Sequence, residues 1–222
     1  GGMSVLGGVT SKFFKHGYVV FVICVLSLLP FKVNSADHDY KFNPKIYVGG
    51  SAGLASVDTG VTAVTGTATL DESDVGLKGL IGANVNEWLA VEGFYANFGT
   101  ASLTGNNGDT FLSEGTLFTF TANNVNVDLE GSTFGFGGVV MLPIHETIVP
   151  FGRIGMHYWD MSVTATSSAG NASLTDDGFD PFLGGGIQFN ITKNIALRAE
   201  YELFKFDDEN VELVTGGLIF RF

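Results

Sequence analysis

At 222 residues the chain has room for one all-β domain or two small ones, and its 45% apolar content is ordinary for a folded protein. Its 31 glycines and 20 phenylalanines are both high, and 11 basic residues against 23 acidic ones leave a formal net charge of −12. Such an acidic balance argues against nucleic acid as a partner, and a lone cysteine, Cys24, excludes an internal disulfide.

In chain order, Lys12, Lys15 and His16 come first, then an apolar run from Tyr18 to Leu29, Pro30, and the small residues Asn34-Ser35-Ala36. That is the three-part order of a secretory signal peptide, and the run is shorter than the ~20 residues a membrane-spanning helix needs. Residues 1–36 are therefore expected to be a cleaved leader, and residues 37–222 the mature domain. Gly1 and Gly2 ahead of Met3 read as an upstream extension of the frame. The mature chain keeps 8 of the 11 basic residues and all 23 acidic ones, a formal charge of about −15.

Beyond the leader, period-two alternation runs through eight stretches: Lys45–Ala55, Asp74–Asn84, Glu87–Gly99, Asp128–Leu142, Thr147–Val163, Gly178–Ile191, Asn194–Phe206 and Val211–Phe222. Each is close to the ~9–11 residues with which a tilted strand crosses a bilayer. Long polar segments, 56–73, 100–127 and 164–177, follow the first, third and fifth stretches. Short turns follow the second, fourth and sixth, around Asn84-Val85-Asn86, Pro143–Glu146 and Thr192-Lys193-Asn194. Loops sorted long on one side and short on the other are the pattern of an up-and-down transmembrane barrel with its short turns in the periplasm.

Each strand has one apolar face. Phe222, Phe220, Leu218, Gly216 and Val214 oppose Arg221, Ile219, Gly217 and Thr215; Ile195, Leu197, Ala199, Tyr201 and Leu203 oppose Ala196, Arg198, Glu200 and Glu202. Ile154, Met156 and Tyr158 oppose Arg153, Gly155 and His157. A soluble barrel binding an apolar ligand would bury the apolar face, and a membrane barrel would turn it to lipid. The leader, the loop asymmetry and the terminal aromatic favour the membrane. Lipid tolerates no open sheet edge, so the last strand must pair with the first, with Phe222 at the periplasmic rim.

The segment PFLGGGIQFNITKNIALRAEYELFKF, followed by GGLIFRF, resembles the OmpA-like eight-stranded outer-membrane β-barrel family. The likeness extends through IYVGGSAGLA, LAVEGFYANFG, VVMLPI and VPFGRIGMHYW, and stops at the long loops. It implies an all-β, eight-stranded antiparallel barrel in the bacterial outer membrane. It also implies that Phe220 and Phe222, the terminal F-x-F, are the signal read by the outer-membrane assembly machinery. By the same resemblance Glu92 faces Arg198 across the lumen, with Arg153 and Glu200 nearby, as an interior charge cluster. Two positions depart from the family pattern: Val139 stands where it has a lysine, and Gln188 where it has a glutamate. That puts a partner-switching gate in question and leaves a Glu92–Arg198 pair as a structural plug.

Other features point to no chemistry. Glycines at 184–186 and 135–138 lie inside strands, with no following Lys-Ser/Thr to hold phosphate; there they relieve crowding or let an aromatic lie over the backbone. Asp176, Asp177 and Asp180, and separately Asp207, Asp208 and Glu209, read as a solvated acidic rim. Glu200 and Glu202 share a face, which suggests that one lies in water at the outer rim. His157 falls on the inner face with no serine at a catalytic spacing, so no enzyme, cofactor or metal site is expected. The reading is a monomeric barrel in outer-membrane lipid, with a structural or surface-interaction role through its loops. The alternative is a narrow porin-like channel for ions or small solutes, and removing Arg198 is expected to open or destabilise the lumen.

Overall fold

Alternation becomes, in the computed structural model, a wall of antiparallel strands with its apolar side turned outward. The structure describes residues 45–222 apart from 114 and 208; the expected leader lies outside the described residues. The strands are β1 (Ile46–Val57), β2 (Val61–Val64), β3 (Thr69–Asp71), β4 (Ser73–Asn84), β5 (Leu89–Gly105) and β6 (Thr110–Ser113). They continue as β7 (Thr116–Thr119), β8 (Val125–Met141), β9 (Ile148–Ser167), β10 (Gly170–Asn190), β11 (Ile195–Phe206) and β12 (Glu209–Arg221).

Eight of them close on themselves in the order β1-β4-β5-β8-β9-β10-β11-β12, and β12 returns to β1. The closing register runs from Tyr47 opposite Arg221 to Val57 opposite Val211, and the Phe222 amide adds a bond to the Ile46 carbonyl at 3.0 Å. Closure satisfies the backbone of every wall strand without water, which is what a bilayer demands. Among the described residues no helix is long and apolar enough to cross a membrane.

The faces divide as the alternation predicts. Ile81, Val91, Tyr95, Phe136, Ile154, Leu183, Leu197, Leu218 and Phe220 are exposed on the outer wall. The lumen is lined by buried Tyr47, Phe94, Phe151, Trp159, Phe182 and Ile219 together with Lys78, Glu92, Arg153, Arg198, Glu200 and Glu202. Inverted order of this kind is stable only if the outer wall meets lipid. Lumenal rings also explain glycines within strands: a Cβ at Gly155 or Gly137 would lie 2.7 or 3.0 Å from the Phe182 ring.

The connections differ from the expected loops at one end. Residues 164–177 are not a loop. β9 and β10 run on as a ladder to Ser167 opposite Gly170, because Ser, Thr and Asp continue the alternation with polar residues beyond the apolar band. Likewise β5 and β8 stay paired out to Gly105 opposite Val125. Above them, β3 adds to β5, and β2, β6 and β7 form a separate three-stranded sheet.

Asp109 ties this cap together. Its carboxylate accepts from the Thr67 hydroxyl at 2.7 Å, the Asn106 amide at 2.9 Å and the Thr67 amide at 3.1 Å. Those bonds, the Thr67 hydroxyl foremost, hold its pKa below the usual carboxylate value of 3.8. The turn that brings Thr67 there needs φ of +75° at Gly66, where a Cβ would strike the Asp109 carboxylate.

Candidate functional site

The lumen is filled in layers, and the first is ionic. Four wall strands converge on it, with Lys78 on β4, Glu92 on β5, Arg153 on β9, and Arg198, Glu200 and Glu202 on β11, all buried. Since β5 and β11 stand four strands apart around an eight-strand wall, the bond from Arg198 Nη1 to Glu92 Oε1, 2.7 Å, crosses the bore. Tyr47 donates to the same Glu92 oxygen at 2.7 Å, and Gln188 accepts from Arg198 Nη2 at 3.2 Å. Arg153 donates to Glu202 at 2.7 Å and stands 3.4 Å from the second Glu92 oxygen. Lys78 bonds both Glu200 and Glu202. Three cations meet three anions, so the layer is formally neutral, which a low-dielectric interior requires.

Two sequence readings change here. Glu202 is not at a wet rim: it is fully buried, because Lys78 and Arg153 both reach it. Lys78 escaped the sequence reading altogether. The signal was there, since Lys78 is the lone base in a strand whose odd positions, Val75, Leu77 and Ile81, are the apolar face. It supplies from β4 the ammonium that Val139 lacks on β8, where the side chain is buried and apolar.

Toward the short turns the polar chain continues. Gln188 donates to Asn190 at 3.2 Å, and Arg221 donates to Asn190 at 2.6 Å. A cavity of about 10 Å³, bordered by Ser51, Leu80, Arg198 and Ile219, matches roughly one water molecule. Buried Ser51 Oγ, Thr215 Oγ1 and Arg198 Nε have no hydrogen-bond partner among the described residues, and bridging water is the usual remedy.

Toward the long loops the second layer is aromatic. Phe94 and Phe98 from β5 meet Phe204 on the opposite wall, with ring centroids 5.7 and 5.2 Å apart. Phe182 packs on Phe94 at 4.9 Å and on Phe204 at 5.6 Å, and Phe206 lies 5.1 Å from Trp159 and 5.5 Å from Phe98. His157 sits among them, hydrogen-bonded to Thr133 at 2.7 Å and to the Lys205 carbonyl at 2.9 Å. Trp159 donates to Asp180 at 2.7 Å. Arg153 joins the layers, its guanidinium 4.9 Å from the Phe94 centroid and 5.1 Å from that of Phe182.

The acidic stretches divide differently. Asp180 turns inward to Trp159 and to the Asp207 amide, at 3.0 Å. Asp177 turns outward and accepts from Tyr158 at 2.6 Å. Phe220 and Phe222 are exposed on the outer wall at the short-turn end. Among the described residues no grouping of His, Cys, Asp or Glu could hold a metal ion.

Comparison with known proteins agrees with this fold. No curated protein matches the chain in sequence. Among solved structures, Ail, the attachment invasion locus protein of Yersinia pestis, crystallised with the heparin analogue sucrose octasulfate, is 19% identical. The match covers 81% of this chain and 99% of Ail, at a TM-score of 0.51. The outer membrane protein OprG from Pseudomonas aeruginosa is 11% identical over 81% of this chain and 95% of its own, also at 0.51. At such identities the likeness is one of fold. The model of the OmpA-like transmembrane domain matches residues 42–213. The chain therefore belongs to the OmpA-like family of outer-membrane β-barrels, with lipid around its outer wall.

Proposed function

We propose that this barrel is a sealed structural element of the outer membrane that presents its long-loop cap to the exterior, and that it conducts no solute. The observation that carries this reading is the ring layer: Phe94 and Phe98 pack on Phe204 across the bore, with Phe182 and Phe206 beside them. An ion at that level would lose its hydration, and the polar groups there, Thr133, His157 and the Lys205 carbonyl, already bond one another. The charge cluster of Glu92, Arg153, Arg198 and Glu200, with Lys78 and Glu202, then acts as internal bracing.

The cap's chemistry limits what it would bind. The long segments 56–73, 100–127 and 164–177 contain no Lys or Arg, so a polysulfated ligand of the kind held by Ail would meet repulsion here. Phe220 and Phe222 fit the role of an assembly signal, being exposed on the strand that closes the barrel. Replacing both by alanine should reduce insertion of the chain into the outer membrane while leaving refolding in detergent intact.

The second reading, a narrow channel, is favoured by the polar chain from Arg221 to Arg198 and its orphaned buried atoms. Planar-bilayer conductance of the refolded chain separates the two. A silent, folded barrel supports the seal, and steady reproducible openings reject it.

A further inference from the structure

The three-stranded sheet of the cap has an unguarded edge. Its order is β2-β6-β7, so among the described residues β7 pairs with β6 alone. All four β7 residues, Thr116, Leu117, Phe118 and Thr119, are exposed, with Leu117 at 65% and Phe118 at 38%. Edge strands facing water normally carry Lys, Pro or a bulge to prevent further pairing. The sequence TLFT has none of these.

The hairpin register identifies which backbone groups are open. The Phe120 amide donates to the Asp109 carbonyl at 2.9 Å, and the facing pairs continue as Phe111 with Phe118 and Ser113 with Thr116. In an antiparallel ladder the bonded residues alternate, so Thr116 and Phe118 bond β6. The N–H and C=O groups of Leu117 and Thr119 point to the free side.

That edge is packed from behind. Phe111 stacks on Phe118 at 5.2 Å and tilts against buried Phe120 at 5.1 Å, and Asp109 clamps the base of the hairpin to the turn at Thr67. A preformed strand binds with little ordering cost. The charge of the two segments that build the cap fixes the sign of the partner: 56–73 and 100–127 carry Asp58, Asp71, Glu72 and Asp109 and hold no base.

We propose that β7 is a docking edge for an extended, Lys- or Arg-bearing segment of another protein, which adds as a further strand along Thr116–Thr119 with its alternate apolar side chains on the face of Phe118 and its basic side chains on the other. Main-chain bonds to Leu117 and Thr119 supply affinity, and attraction to the acidic cap supplies orientation and speed. A second copy of this chain is the poorer fit, since two acidic caps repel. The proposal rests on the surface-presenting reading.

The test uses the full chain in lipid nanodiscs against a phage library of random eight-residue segments. Selected segments should alternate apolar residues with Lys or Arg, lack proline, and be enriched about tenfold or more over selection on Leu117→Pro, which removes an open amide that β6 does not use. Thr119→Lys should lose the same segments. Proline-rich or acidic winners, or equal enrichment on Leu117→Pro, would overturn the proposal. So would a dimer in sedimentation that Leu117→Pro dissolves, because the edge would then belong to a second copy. Labelling of Leu117→Cys by an impermeant maleimide on whole cells separates the two failures. Without labelling, the edge is not at the surface and both readings fall; with labelling but no selection, the edge proposal falls alone.

Discussion

The charged layer and the ring layer occupy adjacent levels of one bore, contributed by many of the same strands, yet they hold it closed in different ways. In the charged layer each side chain is specified by its partners: Glu202 is buried because Lys78 and Arg153 both reach it, and Glu92 because Arg198, Tyr47 and Arg153 surround it. In the ring layer the partners are interchangeable apolar surfaces, and what matters is that Phe94, Phe98, Phe182, Phe204 and Phe206 together fill the width. The first layer should be intolerant of single deletions and irrelevant to sealing. The second should tolerate volume-conserving change and be decisive for sealing.

The largest effect that sharpens this contrast is expected for Arg153→Ala. It leaves Glu202 and Glu92 short of a counter-charge and strips the guanidinium from Phe94 and Phe182. The cost should be about 3–5 kcal/mol, the usual penalty for one missing member of a buried pair, read from the urea midpoint in lipid bilayers. Phe182→Ala should follow at about 3 kcal/mol, while Phe182→Leu should cost under about 1.5 kcal/mol. Equal losses for the two would mean that ring shape, not filled volume, sustains the layer.

Lys78→Met alone should cost several kcal/mol, on the order of the Arg153 effect, because Glu200 and Glu202 both lose the cation that bonds them. Combining it with Glu202→Gln removes one anion along with the cation and should recover much of that loss. Additive losses in the double variant would show that the two groups do not interact.

The smallest effect is local to the cap. The Asp109 carboxylate has a folded pKa below 3.8, so its contribution is complete above that value and is lost as pH falls through the lower folded pKa. Pepsin nicking within residues 58–72 and 106–124 should rise toward the level of Asp109→Asn as the pH drops below 3.8. If wild type and Asp109→Asn are cut alike at every pH, the clamp does not hold the cap.

The wall was the most legible part of the molecule, because a barrel writes its period-two pattern into every strand and its lengths match the bilayer. The strand ends at the short turns were read to within a residue or two; at the long-loop end, polar alternation beyond the apolar band hid the extension of β9 and β10. The Glu92–Arg198 contact came from family likeness. Lys78 was missed because that likeness pointed to position 139, and the missing cation had moved to another strand facing the same bore. Burial of both Glu200 and Glu202 could not be read from one strand, since it depends on cations from β4 and β9. The β2–β6 pairing and the Asp109 clamp join residues 61–67 to residues 109–113 through short stretches, whose pattern carries little periodicity.

The most direct test of the seal is conductance in planar bilayers, comparing wild type and Arg198→Ala with a variant carrying both Phe182→Ala and Phe204→Ala, each first shown to be folded by its heat-dependent mobility. The account predicts silence from wild type and Arg198→Ala, and steady openings once the rings are removed. Openings in Arg198→Ala with the rings intact would contradict it and make the charged layer the gate.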